Sequence, residues 1–173
     1  MKRFILMLTI ATLLFSCRKN KDISIVYDAF ALKNGVEWKA VSQCAMTKPD
    51  TIDIGADYDY NQNGPMTEDL FFGNILLSKG KQLLFKNIRS NRNYTAFYIV
   101  NGGDVLEGVY SPYADENNYI EIQQIDYCRK YIKGIFQVTF IADPSTKKSH
   151  PEFPDTIRFT NGTFTSYYKE NIK

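Results

Sequence analysis

Short stretches of alternating apolar and polar residues recur along most of this chain, and each ends at residues that favour turns. Alternation with a period of two places successive side chains on opposite faces of a β-strand. Gly, Asn, Asp and Ser, which tight turns prefer, separate these stretches. Since about ten stretches occur and none has a convincing helical period, we predict an all-β fold. The architecture we favour is an antiparallel β-sandwich of about ten short strands, and the alternative is a closed calycin-like β-barrel. Beyond the first hairpin, the predicted strands are 51–56, 70–77, 82–85, 94–100, 105–110, 119–125, 131–142, 156–160 and 163–168.

The clearest local signal is a hairpin centred on Asn34-Gly35. A two-residue turn would pair Ala31 with Trp38 and scatter apolar residues over both faces. A three-residue loop with Gly35 in the left-handed conformation would instead pair Phe30 with Trp38. Burial should decide between the two, because a shift of one residue moves every side chain to the other face. We therefore predict the three-residue loop, with Trp38 in the core and with one apolar face formed by Phe30, Leu32, Val36, Trp38 and Ala40.

The first residues have the pattern of a secretion signal. Lys2 and Arg3 precede an unbroken run of 12 apolar or Thr residues. A membrane-spanning helix needs about 18 or more, so this run is typical of the apolar region of a signal peptide. We predict a signal peptide, a short polar tether that starts at Cys17, and a single all-β domain, at 1–16, 17–22 and 23–173 respectively.

Leu14-Phe15-Ser16-Cys17 resembles the lipobox of bacterial lipoproteins. The resemblance implies a diacylglyceryl group on the Cys17 sulfur, cleavage after Ser16 and acylation of the new amine. Two or more acyl chains hold a protein stably on a membrane, so the protein would be anchored without spanning it. The resemblance also implies an outer membrane lipoprotein. It leaves open whether the protein faces the periplasm or the cell surface.

Three further segments carry a resemblance. The hairpin around Asn34-Gly35 and the late runs 131–136 and 157–164 are similar to segments of small Bacteroidota lipoproteins of uncharacterised function. These motifs consist of turn glycines and core aromatic residues. They imply a fold and a location, and they bring no catalytic residues with them.

The charge balance argues against a nucleic-acid partner. The chain has 21 Lys and Arg residues and 19 Asp and Glu residues, so removal of Lys2 and Arg3 with the signal leaves 19 of each sign. A nucleic-acid-binding domain would show a surplus of basic residues on one face. The partners we expect are the membrane, through the lipid on Cys17, and a glycan or an envelope protein. No cofactor is expected.

The residues contain no recognisable catalytic set. His150 is the only histidine, which argues against a multi-histidine zinc site and against a Ser-His-acid triad. A carboxylate pair like that of glycosidases stays open, because 19 acidic residues supply many pairs. We therefore expect a non-enzymatic binding module for a glycan, peptide or protein. The alternatives are a structural or assembly lipoprotein and, third, a carboxylate-based glycan hydrolase.

Cys44 and Cys128 remain once Cys17 is lipidated. Outside the cytoplasm, two such cysteines favour a disulfide. The chain-entropy model gives this disulfide a stabilisation of about 4.5 kcal/mol. The alternative is two separate buried thiols.

A polar stretch in the first half of the chain partly matches calcium-binding loops. An EF-hand loop places oxygen ligands at positions 1, 3 and 5, glycine at 6 and glutamate at 12. A loop starting at Asp59 has Leu70 at position 12, and a loop starting at Asp57 has Gln62 at the glycine position. An ordinary polar connection between strands explains the stretch equally well. The candidate calcium ligands are Asp57, Asp59, Asn61, Asn63 and Glu68.

Two short segments resemble the Asp-Thr-aliphatic O-glycosylation motif of Bacteroidota. They are Asp50-Thr51-Ile52 and Asp155-Thr156-Ile157. Thr51 and Thr156 are therefore candidate glycosylation sites. Strand starts rich in Thr and Ile are the alternative explanation.

Overall fold

A computed structural model describes residues 28–59, 66–86, 92–101 and 105–170. These residues form ten strands and one short helix. The strands are β1 (Ala29–Lys33), β2 (Val36–Lys48), β3 (Thr51–Asp59), β4 (Met66–Leu76), β5 (Gly80–Leu83), β6 (Tyr94–Asn101), β7 (Val105–Pro112), β8 (Tyr119–Asp126), β9 (Tyr131–Ala142) and β10 (Thr156–Glu170), and the helix is α1 (Pro144–Ser149).

All ten strands belong to one sheet, in the order β1-β10-β2-β3-β4-β6-β7-β9-β8-β5. Because β10 also pairs with β9, the pairing closes into a ring. The ring is not a regular barrel. Only three residue pairs join β7 to β9, and three join the end of β10 to β2, where the strands run parallel. The all-β prediction is confirmed, and the architecture is consistent with a β-sandwich.

Aromatic side chains fill the centre of the interior. Phe159 on β10 is fully buried, and its ring lies 5.0 Å from Trp38, 5.4 Å from Phe97 and 6.1 Å from Phe140. Such pairs contribute about 0.5–1.5 kcal/mol each beyond their buried area. The prediction that Trp38 belongs to the core is confirmed, since 2% of it is exposed.

The predicted register of the first hairpin is wrong. Ala31 pairs with Trp38, and the turn is the two-residue Asn34-Gly35, whose φ angles of 50° and 82° are both positive. The buried face therefore carries Ala29, Ala31, Trp38 and Ala40, while Phe30 and Val36 are 40% and 69% exposed.

Contacts with another strand explain this register. The Asn34 side-chain oxygen accepts a hydrogen bond from the Arg158 backbone N–H at 2.8 Å, which docks the turn on β10. The buried face combines the small side chains of Ala29, Ala31 and Ala40 with the large Trp38 indole. Counting apolar residues on each face could not reveal this.

Two other expectations about local structure are corrected. The two strands predicted at 156–160 and 163–168 are one strand: β10 runs through Asn161-Gly162, and the register with β9 shifts between Phe159 and Gly162 as in a β-bulge. Asn161 has a φ of 52°, which this irregularity absorbs.

The helix α1 is the second correction. Asp143 caps it by accepting a hydrogen bond from Ser145 N–H at 2.9 Å, and Pro144 occupies its first turn. Six residues are too few to display a helical period. Within the described ranges, no helix has both the length and the apolar composition to cross a membrane.

Candidate functional site

A groove of about 790 Å³ lies on the outer face of the sheet, across β10, β2, β3 and β4. Alternation along each strand creates it. Ile52, Ile54 and Ala56 of β3 face the buried interior, so the residues between them face outward. Among the described residues, those that shape the groove are Gln43, Ala45, Gly55, Asp57, Phe71 and Tyr167.

Aromatic rings stand on the two sides of the groove, and each is held by a second ring. Phe71 on β4 packs against Tyr94 with ring centroids 5.7 Å apart. Tyr167 on β10 packs against Tyr131 at 5.4 Å. Tyr167 is nevertheless 67% exposed, so one of its ring faces is available to a ligand.

The floor of the groove is low because Gly55 and Ala45 are small. A Cβ atom on Gly55 would meet only the Asp57 Oδ1 atom, at 3.8 Å. Two other strand glycines are covered by rings: a Cβ on Gly73 would lie 2.2 Å from Tyr94, and one on Gly162 would lie 2.5 Å from Phe136. Gly80, at the start of β5, is uncovered too, but its positive φ of 123° accounts for a glycine there. Gly55 has no such cover among the described residues.

The polar groups of the groove centre on Asp57. Gln43 donates a hydrogen bond from Nε2 to Asp57 Oδ2 at 3.0 Å. Asp69 of β4 lies directly opposite Asp57 in the register. Burial and the neighbouring Asp69 raise the pKa of Asp57 above its ordinary value, and burial raises the pKa of Asp69 as well. The pair is a partly desolvated concentration of negative charge.

Asp53 lies further along β3 on the same outer face. Its carboxylate accepts a hydrogen bond from the Asn74 backbone N–H at 2.8 Å, at a point where the register between β3 and β4 shifts. Asp57 is four positions further along the chain, which corresponds to about 13 Å along a strand. Lys169 lines the groove from β10.

A buried ion pair lies on the inner side of the sheet, where the first hairpin meets β4. Glu68 is 1% exposed and pairs with Lys33, and its second oxygen accepts a hydrogen bond from Trp38 Nε1 at 2.9 Å. Cavities of about 320 and 290 Å³ both include Lys33 and Asn34 in their lining. Because Lys33 and Glu68 neutralise each other, we assign this pair a structural role.

The predicted calcium ligands are not brought together where they are described. Asp57 faces the outer groove, whereas Glu68 points inward to Lys33 and Trp38. A loop whose first and twelfth ligands lie on opposite faces of a sheet cannot bind one ion, so the predicted calcium loop that starts at Asp57 is wrong. Asn61, Asn63 and the Asp59 side chain lie outside the described residues. In the described part of the chain, no group of three His, Cys, Asp or Glu residues could hold a metal ion.

The predicted disulfide is not formed. Cys44 lies buried on β2, and Cys128 lies exposed in the turn between β8 and β9, and both are free thiols. The alternative of two buried thiols is also wrong for Cys128. Burial and the nearby Asp53 raise the pKa of Cys44 to about 12, which keeps this thiol protonated and unreactive.

The remaining candidates stay predictions. Cys17 lies outside the described residues. Thr51 and Thr156 are the first residues of β3 and β10, and both are half-buried. His150 stacks on Phe153 at 4.8 Å and contacts Glu152 at 3.2 Å.

Sequence reasoning missed the groove, although signals for part of it were present. Asp53 and Gly55 share one face of the strand predicted at 51–56, and Asp57 continues the same alternation one residue beyond it. An outward glycine between two carboxylates indicates a depression with polar ends. The aromatic sides could not be found this way, because Phe71 and Tyr167 are far apart in the chain and meet only through lateral strand order.

The chain matches no protein-family model, no curated protein and no solved structure. The groove therefore has to be interpreted from its own chemistry.

Proposed function

We propose that this protein is a lipid-anchored module of the cell envelope that binds an extended ligand in its outer groove and performs no chemistry on it. The groove carries the proposal. Its volume of about 790 Å³ lies within the range of about 300–1,000 Å³ that is typical of ligand sites. It combines exposed aromatic area with a small number of polar groups, as ligand sites do.

The arrangement of the carboxylates favours binding over hydrolysis. Glycosidases place two carboxyl groups on either side of the scissile bond, about 5–10 Å apart. Asp57 and Asp69 are neighbours on one sheet face, so both would approach a ligand from the same side. Asp53 and Asp57 project from the backbone about 13 Å apart along one strand, and both line the same face, so they too would approach a ligand from one side.

The anchor is the second part of the proposal, and it rests on the sequence. A lipid on Cys17 and the five tether residues after it, 18–22, which reach at most about 17 Å when extended, would hold the domain close to the headgroups. Labelled palmitate should enter the wild-type protein and should fail to enter Cys17→Ala. Equal labelling of both would contradict the anchor and would leave the groove proposal untouched.

The binding proposal is tested with the full-length chain in detergent, applied to arrays of envelope glycans and peptides. Tyr167→Ala removes one side of the groove, and Tyr127→Ala is its matched control, because Tyr127 is 66% exposed and lies in the turn between β8 and β9. We expect binding that Tyr167→Ala weakens at least tenfold and Tyr127→Ala leaves unchanged. Binding that neither substitution weakens, or release of cleaved ligand, would refute the proposal. A folded protein with no ligand in any array would favour a structural or assembly role.

A further inference from the structure

We infer that the ligand of the outer groove is a non-acidic glycan, one that carries no carboxylate or sulfate. This inference rests on the proposed function and adds the chemical class of the ligand. It is carried by three features of the groove: its uncovered glycine floor between braced aromatic rings, its paired acceptor and donor groups, and its negative charge.

The floor has the shape that a flat ring requires. Elsewhere in this protein, rings of its own side chains lie over strand glycines, as Phe164 does over Gly134 and Phe136 over Gly162. Gly55 has the same open backbone and no ring above it. A pyranose ring laid over Gly55, between the sides formed by Phe71 and Tyr167, would fill that space with apolar C–H groups against aromatic faces.

The aromatic sides are positioned before any ligand arrives. Tyr94 braces Phe71, and Tyr131 braces Tyr167, with ring centroids 5.7 and 5.4 Å apart. Rings that are already held lose little conformational freedom on binding. A weakly polar ligand such as a sugar, which gains little from each contact, benefits most from this preorganisation.

The polar groups match hydroxyls. The Asp57 carboxylate accepts hydrogen bonds, and the Gln43 amide both donates and accepts; the two groups are 3.0 Å apart. One sugar hydroxyl can donate a hydrogen bond to the Asp57 carboxylate, and a neighbouring hydroxyl can donate to or accept from the Gln43 amide. A peptide main chain gains less here, because peptides that extend a sheet use its edge, whereas this groove lies on the face of strands that are already paired.

The charge selects among glycans. Asp53 and Asp57 line the groove and Asp69 lies beside them, against a single lining cation, Lys169, among the described residues. An anionic sugar would add a negative charge next to carboxylates that are already partly desolvated. Uronic acid polymers and sulfated glycans should therefore be rejected.

The experiment compares polymers in affinity gels, with the full-length chain in detergent. The probes are three neutral polysaccharides (dextran, mannan and a β-1,3-glucan), the acidic polymer polygalacturonate, and a peptide library immobilised in a parallel assay. We expect at least one neutral polysaccharide to retard the protein and polygalacturonate to leave it unretarded. Gly55→Leu, which fills the floor, and Tyr167→Ala should each weaken retardation at least tenfold, and Tyr127→Ala should not. Thermal melts of each variant verify folding.

A milder variant tests the polar contact. Asp57→Asn keeps the shape and removes the charge, so affinity for the neutral polymer should fall about tenfold, as expected for a lost hydrogen bond to a charged group. Groove-dependent binding of peptides only, or of polygalacturonate, would overturn the glycan inference and leave the proposed function intact. Failure of every probe to bind a folded protein would overturn both.

Discussion

Gly134 on β9 provides a stringent test of the packing described above. A Cβ atom at this position would lie 2.3 Å from the Glu121 carbonyl oxygen of β8 and 2.6 Å from the Phe164 ring of β10. The ring could rotate, but the carbonyl belongs to the backbone of a paired strand. Gly134→Ala must therefore push β8 away from β9 or distort both.

The size of the effect follows from these contacts. Overpacking a well-filled interior typically costs about 1–3 kcal/mol, and a backbone collision places this variant at the upper end. Replacing a strand glycine with alanine returns about 0.5–1 kcal/mol, so the net loss should be about 2–2.5 kcal/mol. Gly55→Ala is the matched control, since its Cβ meets one atom at 3.8 Å, and it should gain about 0.4–1 kcal/mol.

Urea denaturation measures both variants, with fluorescence of the single tryptophan as the signal. Trp38 is 2% exposed and contacts Phe159, so its emission reports on the interior. With a slope of about 1–3 kcal/mol per molar urea, the two midpoints should differ by roughly 1 M or more. Equal midpoints, or a Gly134→Ala variant as stable as the wild type, would refute the packing of β8 against β9.

Two further predictions concern charge. Lys33→Met should lower the free energy of unfolding by about 3 kcal/mol, because it removes the cation beside the buried Glu68 carboxylate. The control Lys39→Met, which breaks an exposed ion pair, should lower it by less than about 1 kcal/mol. Similar losses for the two variants in urea denaturation would contradict the burial of the Lys33–Glu68 pair. Asp69→Asn should stabilise the fold at pH 7. Burial raises the pKa of Asp69, so its contribution to stability is present below the unfolded-state pKa, near 3.9, and is lost as pH rises through the raised value. The stability that Asp69→Asn gains at pH 7 should therefore vanish near pH 3 in thermal melts. A gain that persists at pH 3 would contradict the raised pKa of Asp69 as its cause.

The sequence predicted those parts of the fold that depend on neighbours along the chain. The strands predicted at 94–100 and 131–142 match β6 (Tyr94–Asn101) and β9 (Tyr131–Ala142) closely, because alternation and flanking turn residues are local signals. The Asn161-Gly162 segment shows the limit of such signals. The same dipeptide forms a turn or a bulge depending on whether the partner strand continues, and β9 does continue.

Lateral contacts could not be predicted. The parallel contact of Tyr168 with Cys44 and the antiparallel contact of Gly162 with Phe136 together close the ring of strands. No local pattern specifies either one, because each joins segments that are far apart in the chain. The predicted register of the first hairpin was wrong for the same reason, since Asn34 is held by Arg158 from the far end of the chain.

The groove combines both kinds of information, which is why its discovery required the structure. A glycine in a strand marks a place where something approaches the backbone closely, and Gly55, Gly73 and Gly134 look alike in this respect in the sequence. The structure separates them: Tyr94 and Phe164 of the chain itself cover two of the three. Since an aromatic ring of the chain explains a glycine without any ligand, Gly55 is the one of these three that calls for an external partner. It lies between braced aromatic rings and beside a hydrogen-bonded carboxylate, and this coincidence connects the packing of the sheet to the binding function that we propose.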